Sequence, residues 1–311
     1  MAPLRLGTRK SPMAMTQSGQ VASLLSERSG VSVELIGLTS FGDVTRADLT
    51  QIGGTGVFVS TLRESLLAGE IDIAVHSLKD LPVAASPEIR LAAVTLRDDP
   101  RDALAGRDGA KLADLPAGAR IGTGSPRRAA QLRLLRRDVR PVAVRGNAGT
   151  RLAKVESGEL DAVVLAWAGL ARIGRLDAVT EVFEAADMVP APGQGALAVE
   201  CRADREDLIG MLACIDDHAS RAAVTAERAV LDGLAAGCSA PVGAYAAGTD
   251  ILHLAAVVLG DVSEPALRAT ASAPATDAER LGRDVAGDLL RRGAGKYMTM
   301  SGGQSSNGDD A

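Results

Sequence analysis

Four polar side chains stand close together in His76-Ser77-Leu78-Lys79-Asp80-Leu81-Pro82, directly after the apolar run Ile71-Asp72-Ile73-Ala74-Val75. A loop at the carboxyl end of a strand in an open α/β sheet faces the crevice where ligands sit, and Pro82 stiffens the exit by fixing its own φ. A carboxylate held there could neutralise a developing cation or move a proton, so Asp80 is the first candidate for chemistry. The pattern leaves a second reading open, a solvated turn with Lys79 and Asp80 as incidental surface charges.

Arginines form the second candidate set. Arg9 follows the first strand-like run, Arg127 and Arg128 open a helical segment, Arg145 and Arg151 bracket Gly146-Asn147-Ala148-Gly149-Thr150, and Arg172 comes shortly after Gly169. Taken singly, each reads as a surface ion pair. Six of them on loops at matching positions point to a ligand with several carboxylates or phosphates, which guanidinium groups bind bidentately. Arg9 lies in, and Arg127 directly follows, an internal echo, Gly7-Thr8-Arg9-Lys10-Ser11-Pro12 and Gly122-Thr123-Gly124-Ser125-Pro126. Each copy follows a strand and places Ser then Pro as N-cap and first helical residue. Two helix amino termini then face the crevices of two related domains, where unpaired N–H groups favour anions; plain capping with nothing bound is the alternative. The turn Gly53-Gly54-Thr55-Gly56 lacks the Walker spacing and its Lys-Ser/Thr pair, and a mobile lid explains it as well as a phosphate cradle does.

His76, His218 and His253 are scattered without a second ligand at helical or loop spacing, so each is expected to be structural and no metal site is expected. Cys201, at the end of a strand, and Cys214, on the apolar side of a helix, read as small core residues. Cys238 differs, standing in the turn Gly237-Cys238-Ser239-Ala240-Pro241 beyond a long helix, where its thiol is either exposed and reactive or idle.

The elements that must position these groups alternate. Apolar patterning predicts strands over residues 4–7, 31–39, 72–75, 90–96, 120–123, 140–144, 161–165 and 196–200, with helices over 13–25, 58–67, 127–136 and 151–158 between them. This is the signature of βα units on largely parallel sheets. After Cys201 the pattern shifts to helices over 204–215 and 219–234, strands over 242–246, 251–259 and 267–273, and a last amphipathic helix over 277–292, which together read as a small α+β domain. Residues 301–311 lack periodicity and are expected to be a disordered tail.

At 311 residues the chain suits two or three domains. Hydrophobic residues at 46% and charged residues at 23% fit a soluble enzyme or binding protein. With no apolar run near 18 residues and no signal-peptide core in Met1 to Lys10, the expectation is a cytoplasmic protein that does not enter membranes. Aromatics are only 2% and the net charge is −5, which argues against nucleic-acid binding, although five lysines among 34 basic residues leave 29 arginines.

Five segments together, His76 to Pro82, Gly122-Thr123-Gly124-Ser125-Pro126-Arg127-Arg128, Arg145-Gly146-Asn147 through Thr150-Arg151, Pro192-Gly193-Gln194-Gly195-Ala196, and Gly237-Cys238-Ser239-Ala240-Pro241, resemble the porphobilinogen deaminase (hydroxymethylbilane synthase) family. They keep the family's order and spacing from Arg5 to about Gly293. The resemblance implies an α/β fold with two periplasmic-binding-protein-like lobes on mixed, mostly parallel sheets, plus a small α+β C-terminal domain. It places lobe 1 at residues 1–95 and 196–215, lobe 2 at 96–195 and the cofactor-attachment domain at 216–300. It implies a transferase that joins four porphobilinogen molecules head to tail into hydroxymethylbilane, releasing ammonia, on a dipyrromethane cofactor held by a thioether to Cys238.

In the family pattern Asp80 is the catalytic carboxylate. Contacts to the cofactor are implied for Ser77, Lys79, Asp80, Thr123, Ser125, Arg127, Arg128, Arg145 and Gly146. Contacts to substrate are implied for Arg9, Ser11, Gln17, Phe58, Arg145, Asn147, Arg151, Arg172 and Gln194. The chemistry of these residues agrees: each pyrrole of porphobilinogen carries an acetate and a propionate for the arginines, and loss of ammonia leaves a cation that a carboxylate stabilises. The chain departs from familiar bacterial members in having Gln51 and Thr55 in place of lid lysines and Gly124 in place of a serine. A monomer acting on this small molecule is expected. The rival reading is a non-catalytic two-lobed anion-binding protein, which fold alone does not exclude. A phosphate-handling transferase, the other rival, would need a P-loop or metal site.

Overall fold

The computed structural model describes residues 2–38, 56–84, 86–237, 240–260 and 264–300. Gln51, Thr55, Cys238, the predicted 301–311 tail and the side chain of Phe58 lie outside the described residues. Along the chain run β1 (Leu4–Arg9), α1 (Pro12–Ser29), β2 (Val33–Leu38), α2 (Gly56–Leu67), β3 (Ile73–Ser77), β4 (Ile89–Val94), β5 (Asp102–Gly106), β6 (Arg120–Gly122), α3 (Pro126–Leu135) and β7 (Arg140–Val142). They are followed by α4 (Ala148–Glu156), β8 (Ala162–Ala166), α5 (Trp167–Arg172), β9 (Glu181–Val182), β10 (Leu197–Arg202), α6 (Glu206–Leu212) and α7 (His218–Gly233). The last elements are β11 (Val242–Ala247), β12 (Ile251–Val258), β13 (Leu267–Pro274), α8 (Ala278–Arg291) and α9 (Gly295–Met300).

Three sheets organise these elements. The first has the order β2-β1-β3-β10-β4 and the second β7-β6-β8-β5-β9. In each, three parallel strands adjoin one antiparallel strand, β10 or β5, and the outermost strand runs antiparallel to that one. The two lobes therefore repeat one topology, with mixed and mostly parallel sheets. The chain enters lobe 2 through β5 and returns to lobe 1 through β10, so the segments before Asp102 and before Leu197 are the crossovers joining the lobes. The third sheet, β11-β12-β13, is an antiparallel meander. Helices α7 and α8 close one face of it over a core that includes Val230, Leu252, Leu254, Val285 and Leu289.

The echoed motifs form the same local structure. Ser11 Oγ accepts from the Ala14 N–H at 3.3 Å with Pro12 at the first helical position of α1, and Ser125 Oγ accepts from the Arg128 N–H at 3.4 Å with Pro126 opening α3.

Several expectations need correcting. β5 was not foreseen, because Asp-Ala-Leu-Ala-Gly has little β-propensity; it is a strand because it pairs along its whole length with β8 and is buried through Ala105. Helix α4 begins three residues earlier than its apolar pattern predicts, since Asn147 Oδ1 caps it by accepting from the Thr150 N–H at 2.8 Å. Of the six arginines expected on loops, Arg145 alone is on one: Arg9 ends β1, Arg127 and Arg128 lie in the first turn of α3, Arg151 on α4 and Arg172 on α5. Cys214 is exposed in a single 3₁₀ turn, Ala213–Ile215, that follows α6, so it is not a core residue; Cys201 in β10 is fully buried, and burial pushes its thiol up to about 11.

Candidate active site

The turn after β3 is pinned by its apolar residues. Leu78 and Leu81 are buried against Val59, Val94, Ala196 and Val224, and the Leu78 N–H donates to the Ala196 carbonyl at 3.0 Å. Between them, in a 3₁₀ turn, Lys79 and Asp80 stand half-buried at the cavity wall. Pro192-Gly193-Gln194-Gly195 packs directly behind. Gly193 has φ +76°, and a Cβ there would stand 2.2 Å from Leu78 Cδ2, so only glycine lets the crossover lie against the turn.

Two adjoining cavities result. One of about 460 Å³ lies between the lobes, lined from lobe 1 by Arg9, Ser11, Gln17, His76, Ser77, Lys79 and Asp80 and from lobe 2 by Arg128, Gly146, Asn147, Arg151 and Arg172, with Gln194 from the crossover. The other, of about 330 Å³, reaches the third domain and is lined by Gly124, Ser125, Pro126, Arg127, Leu231, Gly237 and Val242. Lys79, Asp80, Arg128, Arg151 and Gln194 border both. The amino termini of α1 and α3 thus open one onto each cavity, with N–H groups and helix dipole favouring anions. Arg145 is exposed and borders neither cavity, and Thr123 is buried behind the turn, its Oγ1 accepting from the Ser125 N–H at 3.2 Å.

The charges are arranged around Asp102, which the motifs did not single out. This fully buried carboxylate at the start of β5 meets Arg127 Nη1 at 2.8 Å and Arg128 Nη2 at 2.7 Å, and accepts from Gln194 Nε2 at 2.8 Å. Burial alone would raise its pKa, but the two guanidinium charges outweigh that and hold it well below the usual carboxylate range. Gln194 Oε1 in turn accepts from Lys79 Nζ and Arg128 Nη2, each at 3.3 Å, linking the lobe 1 turn to the lobe 2 arginines. Arg172 donates to Asp98 at 2.9 Å and to the Gly195 carbonyl at 2.6 Å, so it braces the crossovers while lining the cavity.

Positive charge is in surplus. Burial and the neighbouring Arg128 push the Lys79 ammonium down to about 8, against the pull of Asp80 and Asp102. Burial and Arg128 likewise lower Arg151. The Asp80 carboxylate makes no hydrogen bond among the described residues, so it is available to a ligand.

Two further polar clusters escaped the motif reading because their members are far apart in sequence. Glu200, buried in β10, takes a fork from Arg63 at 3.0 and 2.7 Å and lies 3.3 Å from His76 Nε2; burial would raise its pKa, but these contacts hold it at about 2. Glu227 of α7, also fully buried, pairs with Arg97 at 2.6 Å and accepts from the Gly193 N–H at 2.7 Å and the Ala246 N–H at 2.8 Å. It ties the third domain to both crossovers. Among the described residues no group of three or more His, Cys, Asp or Glu is placed to hold a metal ion, and no helix is long and apolar enough to cross a membrane.

Comparison with known proteins places this geometry. Residues 4–210 match the family model described as "Porphobilinogen deaminase, dipyromethane cofactor binding domain", and residues 221–291 match that of the porphobilinogen deaminase C-terminal domain. The chain is 60% identical over 306 residues to the porphobilinogen deaminase of Thermobifida fusca, covering 95% of this chain and 96% of that one. It is 51% identical over 305 residues to that of Acidothermus cellulolyticus, covering 96% and 92%. Solved structures overlap it more loosely: immunogenic lipoprotein A from Vibrio vulnificus at 12% identity and TM-score 0.41 (70% of this chain, 96% of that one), and the Bordetella pertussis BvgS VFT2 domain at 18% and 0.40 (69% and 85%). Over its two lobes and its third domain, the chain belongs to the porphobilinogen deaminase family.

Proposed function

We propose that this chain is a hydroxymethylbilane synthase whose two adjoining cavities hold, respectively, incoming porphobilinogen and a dipyrromethane on Cys238. The observation that carries the reading is the shared wall: Lys79, Asp80, Arg128, Arg151 and Gln194 border both cavities, and the second cavity is lined by Gly237, the residue before Cys238. When bound, the dipyrromethane supplies the pyrrole primer to which four porphobilinogen units are added with loss of ammonia. Its carboxylates suit the residues present. The cavity carries surplus cationic charge, and the buried Nε of Arg127 makes no hydrogen bond among the described residues.

Arg127, Arg128 and Ser125 with the α3 amino terminus would hold the cofactor carboxylates, and Arg9, Ser11, Arg151 and the α1 amino terminus those of substrate. Asp80, between the cavities, would stabilise the cation left on porphobilinogen when ammonia departs, and would hold the pyrrole N–H groups toward it. Lys79 offers a charge that answers to the ligand. A bound carboxylate favours its ammonium, so binding near pH 8 should take up a proton. Calorimetry of porphobilinogen binding in buffers of different ionisation enthalpy, in the inactive Asp80→Asn background, should show that uptake, and adding Lys79→Met should abolish it.

The proposed division of the chain is lobe 1 at 1–95 and 196–215, lobe 2 at 96–195 and the third domain at 216–300, supported by which sheet each strand joins. We further propose a cytoplasmic monomer that binds no nucleic acid; the free thiols of Cys201 and Cys214 suit a reducing compartment, and sedimentation tests the monomer. For the activity, the purified protein should exceed the mass of its bare chain by two linked pyrroles and release ammonia from porphobilinogen. The adduct should vanish in Cys238→Ser and persist in Cys201→Ser and Cys214→Ser. An unmodified chain that turns over at full rate would overturn the cofactor assignment.

A further inference from the structure

We infer that Arg228 of α7 is a positioning residue for Asp80, through which the third domain sets the orientation of the catalytic turn. Arg228 Nη1 donates to the Leu81 carbonyl at 3.0 Å and its Nη2 to the Pro82 carbonyl at 2.6 Å. These are the two residues directly after Asp80. One helical turn earlier on the same face of α7, Val224 packs on Leu78 and Leu81. The face of one helix thus grips the turn by its apolar side chains and by its exit carbonyls, while the Leu78 N–H is held at the entry by the Ala196 carbonyl.

Asp80 lies between these two fixed points, so its direction into the cavities follows from where α7 sits. Arg228 itself borders neither cavity, which separates its role from ligand binding. A charged donor bridging two successive carbonyls makes bonds stronger than neutral ones. Release of that bridge frees the exit of a three-residue turn, and misplacement of a reacting group by about 1 Å can cost about a hundredfold in rate. Because α7 belongs to the domain whose residues reach the second cavity, the bridge gives that domain direct control over the carboxylate.

The inference rests on the proposed activity, and the test separates the two. Arg228→Leu should keep the Cys238 adduct by intact mass and a KM for porphobilinogen within about twofold, lower kcat by about ten- to a hundredfold, and speed hydrogen exchange of the Leu78 to Leu81 amides. Arg228→Lys, which keeps the charge and one of the two bonds, should recover part of the rate. Wild-type kcat and unchanged exchange in Arg228→Leu, with only a lower melting temperature, would overturn the inference. Should Arg228→Leu fail to fold, Arg228→Lys carries the test, and wild-type kcat with unchanged exchange in it overturns the inference equally. Should the wild-type chain release no ammonia from porphobilinogen, the activity reading fails while amide exchange still decides whether Arg228 holds the turn.

Discussion

Asp80→Asn is expected to retain the wild-type melting temperature and the Cys238 adduct while turnover falls by several powers of ten. The substitution keeps the shape, removes one charge and replaces one acceptor oxygen by an NH2 donor. Its stability cost is small because the Asp80 side chain is half-buried at the cavity wall and is not tied into the fold by a hydrogen bond among the described residues, whereas Leu78 and Leu81 on either side carry the packing. Its kinetic cost is large because, among the described residues, no other carboxylate lines the two cavities, and Asp80 borders both. Each ~1.4 kcal/mol of lost transition-state stabilisation is tenfold in rate, and electrostatic stabilisation in a water-poor site commonly supplies several such factors. Asp80→Glu keeps the charge and moves it by one methylene, so it should lie between Asn and wild type. Single-turnover ammonia release, with calorimetric melting on the same samples, checks all three. A near wild-type rate in Asp80→Asn would remove this residue from the mechanism.

Asp102→Asn should do the reverse, unfolding the site before it slows the chemistry. Asp102 is fully buried and faces two arginines that are themselves at least nine-tenths buried. Removing one member of a buried ion cluster leaves its partners uncompensated, which costs about 3–5 kcal/mol. The sign with pH follows from its depressed pKa. The stabilising contribution is present above the unfolded carboxylate value of about 3.9 and is lost as pH falls toward the lower folded value. The urea midpoint of Asp102→Asn should therefore lie well below wild type at neutral pH, with the gap narrowing in strong acid. Because Arg127 and Arg128 lose their anchor, the variant should also carry less of the Cys238 adduct by intact mass. An unchanged urea midpoint at pH 7 would show that the arginines find other partners.

The sequence by itself determined the local pieces. Ser-Pro after a strand is legible because an N-cap and a first-turn proline act within four residues, and both echoed motifs became helix starts with the foreseen bonds. The turn that carries Asp80 was legible because an apolar strand ending in polar residues before a proline announces a loop at the carboxyl end of that strand. Asn147 showed the limit of periodicity: its cap moved the start of α4 upstream of the apolar pattern.

Only the tertiary structure decided how the charges pair. Asp102 looked like any acidic residue, and became the anchor of Arg127 and Arg128 because β5 inserts antiparallel beside β8, a pairing that low β-propensity concealed. Arg97 and Glu227, 130 residues apart, and Arg63 and Glu200, 137 apart, meet only when the crossovers and β10 bring distant segments side by side. Cys214 followed the apolar side of a helical pattern, yet the helix ended two residues earlier and the thiol turned outward. Short-range bonding and patterning are written within a few residues, whereas burial and the choice of ionic partner depend on which segments the sheets place together, and at those positions desolvation decides which charges must pair.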